Sequence, residues 1–161
     1  MDAMNQFDDV IAEALASILR LELDLTGHVH ASPPESVDDL PAAIIVETDG
    51  DTQRSAYAGQ WEATITARLL VLLALRGKDG VEKAVTKARP WVGKILLLFS
   101  THDELAAAND SDVLGEIKAM RWKVRNINYA GVDFSGIEFF VEMRVDWQMC
   151  YGSGPVGTLP A

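Results

Sequence analysis

The sequence predicts an α+β two-layer sandwich: a mainly antiparallel four-stranded sheet with two helices packed on one face, in the order α-β-β-α-β-β. Three observations lead there. Two stretches repeat apolar residues at intervals of three and four, the helical period. Four stretches alternate or run apolar over strand-like lengths. Helices cannot sit inside an antiparallel sheet, so both should cover its apolar face. The 161 residues fit one domain, assigned to residues 1–151, with residues 152–161 as a Gly- and Pro-rich flexible tail.

Phe7 to Leu23 reads as the first helix, with apolar residues at Phe7, Val10, Ile11, Ala14, Leu15, Ile18, Leu19 and Leu21/Leu23. Asn5 or Asp8 can cap its start and Gly27 can stop it. Pro33, Pro34 and Pro41 then break regular structure, so a surface connector follows. Ala42 to Thr48 is a short buried strand, and the polar stretch Asp49 to Gln60 a loop or hairpin tip. Trp61 to Leu75 is a long strand. Its first half alternates, and its second half is apolar on both faces, as for a strand covered on both sides. Val81 to Phe99 is the second amphipathic helix, which Pro90 should kink or split. Ala106 to Gly115 is a polar connection. In the next strand Met120, Trp122 and Val124 alternate with Arg121, Lys123 and Arg125. Gly131 to Gly136 is the expected turn, and a last strand alternates from Ile137 to Trp147.

Charge is unevenly spread. The net charge is -10, and residues 1–60 hold 12 acidic and 2 basic side chains, so the whole excess lies there. Overall acidity argues against a protein that binds nucleic acid by neutralising phosphates. A single cysteine, Cys150, excludes an intrachain disulfide and a Cys-based zinc cluster. The acidic start lacks the basic region of a signal peptide. The apolar run Leu69 to Leu75 is too short for a membrane helix, which needs roughly 20 residues. A soluble protein is expected.

The search for chemistry finds no constellation. His28 and His30 could point two imidazoles one way, with Glu35 and Asp38 near in sequence, yet no third ligand stands at a recognisable spacing. Glu47 to Gln53 has the acids and glycine of a calcium loop, but the twelfth position counted from Asp49 is Gln60, where a glutamate is needed. Ser55, Ser100 and Ser135 lack the nucleophile-elbow setting, and the glycines at 77–80 form no phosphate loop. No catalytic residue, metal or cofactor is assigned. The charged face of the last two strands is the better candidate. Glu138, Phe140, Glu142 and Arg144 should share it with Arg121, Lys123 and Arg125, and Phe140 is an aromatic with no local core, as at subunit contacts.

The element order, with "LPAAIIVET", "WEATITARLLVLLAL", "VEKAVTKARPWVGKILLLF" and a final hairpin ending "YAGVDFSGIEFFVEMRVDWQMCY", resembles the tail terminator (tail completion) proteins of long-tailed bacteriophages and prophages. The resemblance covers roughly residues 5–151. It implies a structural, non-enzymatic virion protein, made in the bacterial host cytoplasm. Such proteins form a ring, usually a hexamer, that caps the tail tube, ends tube growth and presents a surface to the head connector. DNA passes through without specific binding. The expected partners are other copies, the tail tube protein and the head completion or connector protein, with no membrane. The resemblance also suggests a tube-contact loop at Asp49, Asp51, Gln53, Arg54 and Tyr57. An acidic patch and the basic cluster Arg121, Lys123 and Arg125 would then meet between subunits. The alternatives are a head–tail joining or minor tail protein and, from another class, a small α+β ligand-binding or regulatory domain.

Overall fold

A computed structural model of the chain describes residues 3–54, 61–76, 80–106 and 113–145. Helix α1 spans Ala3–Leu19 and is followed by a two-residue strand, β1 (Val29–His30). The long strands β2 (Ala42–Arg54) and β3 (Trp61–Leu75) come next, then helix α2 (Gly80–Thr101). The short β4 (Glu104–Ala106) precedes the long pair β5 (Val113–Tyr129) and β6 (Val132–Val145).

The predicted four-stranded, mainly antiparallel sandwich is corrected by this arrangement. The sheet has six strands in the order β1-β2-β3-β6-β5-β4, it is mixed because β1 runs parallel to β2, and it curls strongly into a half-barrel. Strands of two and three residues are too short to leave a periodic signal, and their pairing depends on distant chain. The curl has a local cause. Val46, Leu73 and Lys118 are extra residues in β2, β3 and β5 where the registers shift. Each such bulge bends its strand and increases the right-handed twist.

One face of the sheet carries the main core. Ile65, Leu69, Phe139 and Val141 are buried against Ile11, Leu15 and Leu19 of α1 and Ile95 and Phe99 of α2. The opposite face is buried at one end only. There Ile44, Leu70, Leu72, Ile127 and Phe134 form a second cluster beneath Val37 and Leu40 of the connector that follows β1. This explains why β3 is apolar on both sides in its second half. Tyr129 fastens the connector by donating a hydrogen bond to the Pro34 carbonyl. Burial pushes the Tyr129 phenol above its usual pKa.

Several expected boundaries move. Helix α1 ends at Leu19, not Leu23. Leu21 and Leu23 are therefore exposed, while a tight turn tucks Leu25 into the core. Thr26 Oγ1 lies within hydrogen-bond distance of the Arg20 and Glu22 carbonyls of that turn, and the Glu22 carbonyl also accepts the Leu25 N–H. Helix α2 runs unbroken through Pro90, so of the expected kink or split, the split does not occur. Its Lys94 reaches Asp24 Oδ2 at 3.1 Å and lies over the Trp91 ring, tying α2 to the turn after α1. The expected polar connection Ala106–Gly115 begins in β4 and ends in β5, with Leu105 and Leu114 buried; residues 107–112 lie outside the described ones.

The final turn is also corrected. The turn of the β5–β6 hairpin is Ala130–Gly131, both at positive φ (51 and 80 degrees), and Val132 to Gly136 belong to β6. Two left-handed residues make the type I′ geometry that matches strand twist. Gly136 is a packing site: a Cβ there would collide with the Val71 carbonyl oxygen, next to the bulge in β3. Trp147 and Asp146 of the predicted last strand, and the tail 152–161, lie outside the described residues.

Candidate functional site

The outer face of the sheet, away from the helices, carries the charged residues singled out in the sequence. Pairing registers lay it out in rows. Glu47, Arg68, Phe140 and Arg121 form one row across β2, β3, β6 and β5. Asp49, Thr66, Glu142 and Ala119 form the next, and Asp51, Thr64, Arg144 and Glu116 the one after. On the other side of the first row, Leu70, Glu138 and Lys123 are neighbours.

Glu138 anchors this face. It is the buried charged residue among the described ones, 5% exposed. Arg68 Nε and Nη2 each lie 2.7 Å from its Oε2, and Arg125 Nη1 lies 3.3 Å from its Oε1. A buried carboxylate needs such partners, because an unpaired charge is costly away from water. Sequence reasoning missed Arg68. It stood out only as a polar position on β3, and its pairing with Glu138 requires β3 to lie beside β6.

The residues singled out as a candidate interface share this one face, with different local roles. Arg121 stacks over Phe140, its Cζ 4.9 Å from the ring centroid, so Phe140 is half-buried beneath a cation. Lys123 is exposed and makes no ion pair among the described residues. Glu142 is exposed, and Arg144 Nε lies 3.8 Å from Glu62 Oε2. Beside it, a hydrogen bond from Lys118 holds the Glu116 carboxyl below its usual pKa.

The predicted tube-contact loop is relocated. Asp49, Asp51, Gln53 and Arg54 are residues of strand β2, paired with Thr66, Thr64, Glu62 and Trp61 of β3. Alternation there is hidden by Thr48 and Gly50 on the other side of the strand, which look like turn residues. Tyr57 lies outside the described residues.

Along two edges of the sheet, stretches of strand lack a strand partner among the described residues. β1 pairs with β2 only at Ala43 and Ile44, so the edge of β2 beyond Ile44 has no strand partner among the described residues. β4 pairs with β5 only as far as Glu116, with Ile117 N donating to the Asp103 carbonyl, so the edge from Lys118 to Tyr129 is likewise open. The β2 edge carries Glu47, Asp49 and Asp51; the β5 edge carries Arg121, Lys123 and Arg125; all six are exposed.

Other sequence candidates fall elsewhere. His28 Nδ1 lies 2.9 Å from the Pro41 carbonyl oxygen, where it can donate a hydrogen bond, and no set of three potential metal ligands clusters among the described residues. A groove of about 580 Å³ runs between α2 and β5, lined by Leu96, Phe99, Ile117 and Met120 among others. No described helix is long and apolar enough to cross a membrane. No family model matches the chain, and no curated protein matches it.

Proposed function

We propose that this chain is a structural subunit that closes into a ring, as the tail terminator of a long-tailed bacteriophage. In that role it caps the tail tube, ends tube growth and offers a surface to the head connector. It acts in the tail of the virion after synthesis in the host cytoplasm. The observation that supports a ring is one subunit bearing two unlike open edges, acidic on β2 and basic on β5. A ring needs two different mutually complementary surfaces on each copy, because every contact is heterologous. The link to phage tails rests on the resemblance of the sequence. The end of the β2–β3 hairpin, with Gln53 and Arg54, is the proposed tube contact.

The test is to polymerise the cognate tail tube protein, with and without this chain, and to measure tube lengths by electron microscopy. Shorter tubes ending in an added ring are expected. Tubes of unchanged length with bare ends would defeat the reading. The groove between α2 and β5 favours a second reading, a small ligand-binding domain. That reading requires a bound small molecule in native mass spectrometry of the purified protein.

A further inference from the structure

The two open edges suggest how one copy meets the next. We propose that the β2 edge of one copy pairs antiparallel with the β5 edge of a second copy, extending the sheet from subunit to subunit. Glu47, Asp49 and Asp51 would then face Arg125, Lys123 and Arg121. The inference shares the ring's premise of self-association, and it needs no tail tube to be tested.

Strand direction permits this contact. β2, β3, β6 and β5 alternate in direction, so β2 and β5 run opposite ways in one subunit. Rotating a copy about an axis roughly along the strands therefore brings its β5 antiparallel to the first copy's β2. Exposed strand edges pair readily, since each presents a row of free N–H and C=O groups.

Spacing and side agree. In both edges the charged residues recur every second position, and the registers put all six on the outer face. Antiparallel pairing can thus set all three acids against all three bases at once. The bases are also held in place: Arg125 by Glu138 and Arg121 by the Phe140 ring. On the helix side of β5, Trp122 is 48% exposed. The incoming β2 sets Gly50, which has no side chain, opposite the indole.

Charge selects this contact over its rivals. Edge charges ordinarily keep strands apart, which would be the simpler reading if both edges had one sign. Here a two-fold β5–β5 contact sets Arg121 against Arg125 and Lys123 against Lys123. A two-fold β2–β2 contact sets Glu47 against Asp51. Like charges directly opposite are unfavourable, and opposite charges favourable. Only the unlike pairing is attractive, so association runs head to tail and closes into a ring or continues as a filament.

The experiment uses the full chain and two charge reversals, Asp49→Lys and Lys123→Glu, with mass followed by light scattering against concentration. The wild type should exceed a dimer. Each reversal sets like charges opposite each other and should weaken association by about tenfold or more. An equal mixture of the two variants should recover it, since each edge then meets its opposite in the other variant. Asp38→Lys and Lys87→Glu make the same charge changes at exposed positions off the edges and should leave association intact. Circular dichroism confirms that each variant is folded. A wild type that stays monomeric to about 1 mM, or stops at a dimer, overturns the proposal. So do single reversals that associate normally, or a mixture that fails to recover.

Discussion

Glu138 shows how one residue can organise a surface. Its alternation with apolar neighbours marks it in the sequence as a wet-face residue, yet it is nearly covered, with guanidinium groups from strands on both sides. Glu138→Gln keeps the shape and removes the charge, leaving Arg68 and Arg125 without a counter-ion. Both arginines retain some solvent, so the loss should stay below that of a fully buried pair, at about 2 kcal/mol. The urea midpoint should fall accordingly, and an unchanged midpoint would mean that water serves the arginines as well. The sequence contained both partners, but nothing in it says that residue 68 and residue 138 are cross-strand neighbours.

At the level of elements, the strongly periodic pieces were legible. β3 spans Trp61 to Leu75, as its alternation suggests, and α2 follows its apolar stripe to the end. Periodicity failed where tertiary pairing decides, as in β1 and β4, and where small polar residues imitate a turn, as in the far half of β2. It also failed at the last hairpin, where Gly136 was taken for part of the turn. The turn it serves least well is the real one. Ala130 adopts φ 51 without the side-chain hydrogen bonding that lets Asn tolerate that region. Ala130→Asn should therefore stabilise the protein by about 1 kcal/mol, read as a higher thermal midpoint. A lower midpoint would show that the alanine makes a contact that outweighs its backbone cost.

On the scale of the whole molecule, stability and assembly should respond differently to salt. The two clusters that hold the sheet are apolar, with cores such as Leu69, Leu72 and Phe139 fully covered. Burying each such side chain contributes about 1.5–3 kcal/mol and does not depend on ionic strength through charge screening. The edge charges are exposed, and at about 1 M salt the screening length falls to about 3 Å. Raising salt from about 0.1 M should weaken self-association while the unfolding midpoint moves little. Association that persists unchanged would assign the contact to apolar surface, with Trp122 and the groove beside α2 as the next place to look.

The sequence by itself determined the helices, the long strands, the concentration of acids in the first 60 residues and the alternation that separates an apolar from a charged face. These are local properties, set by side-chain period along a few consecutive residues. Only the tertiary structure decided that the sheet has six strands and curls, that a Pro-containing connector covers its second face, and that Arg68 meets Glu138. It also put the acids and the bases on opposite open edges of one sheet. Those outcomes depend on which distant segments lie side by side. Side-chain packing between strands sets that choice, because backbone hydrogen bonds are alike for every strand pair, and such packing carries no period of its own in the chain.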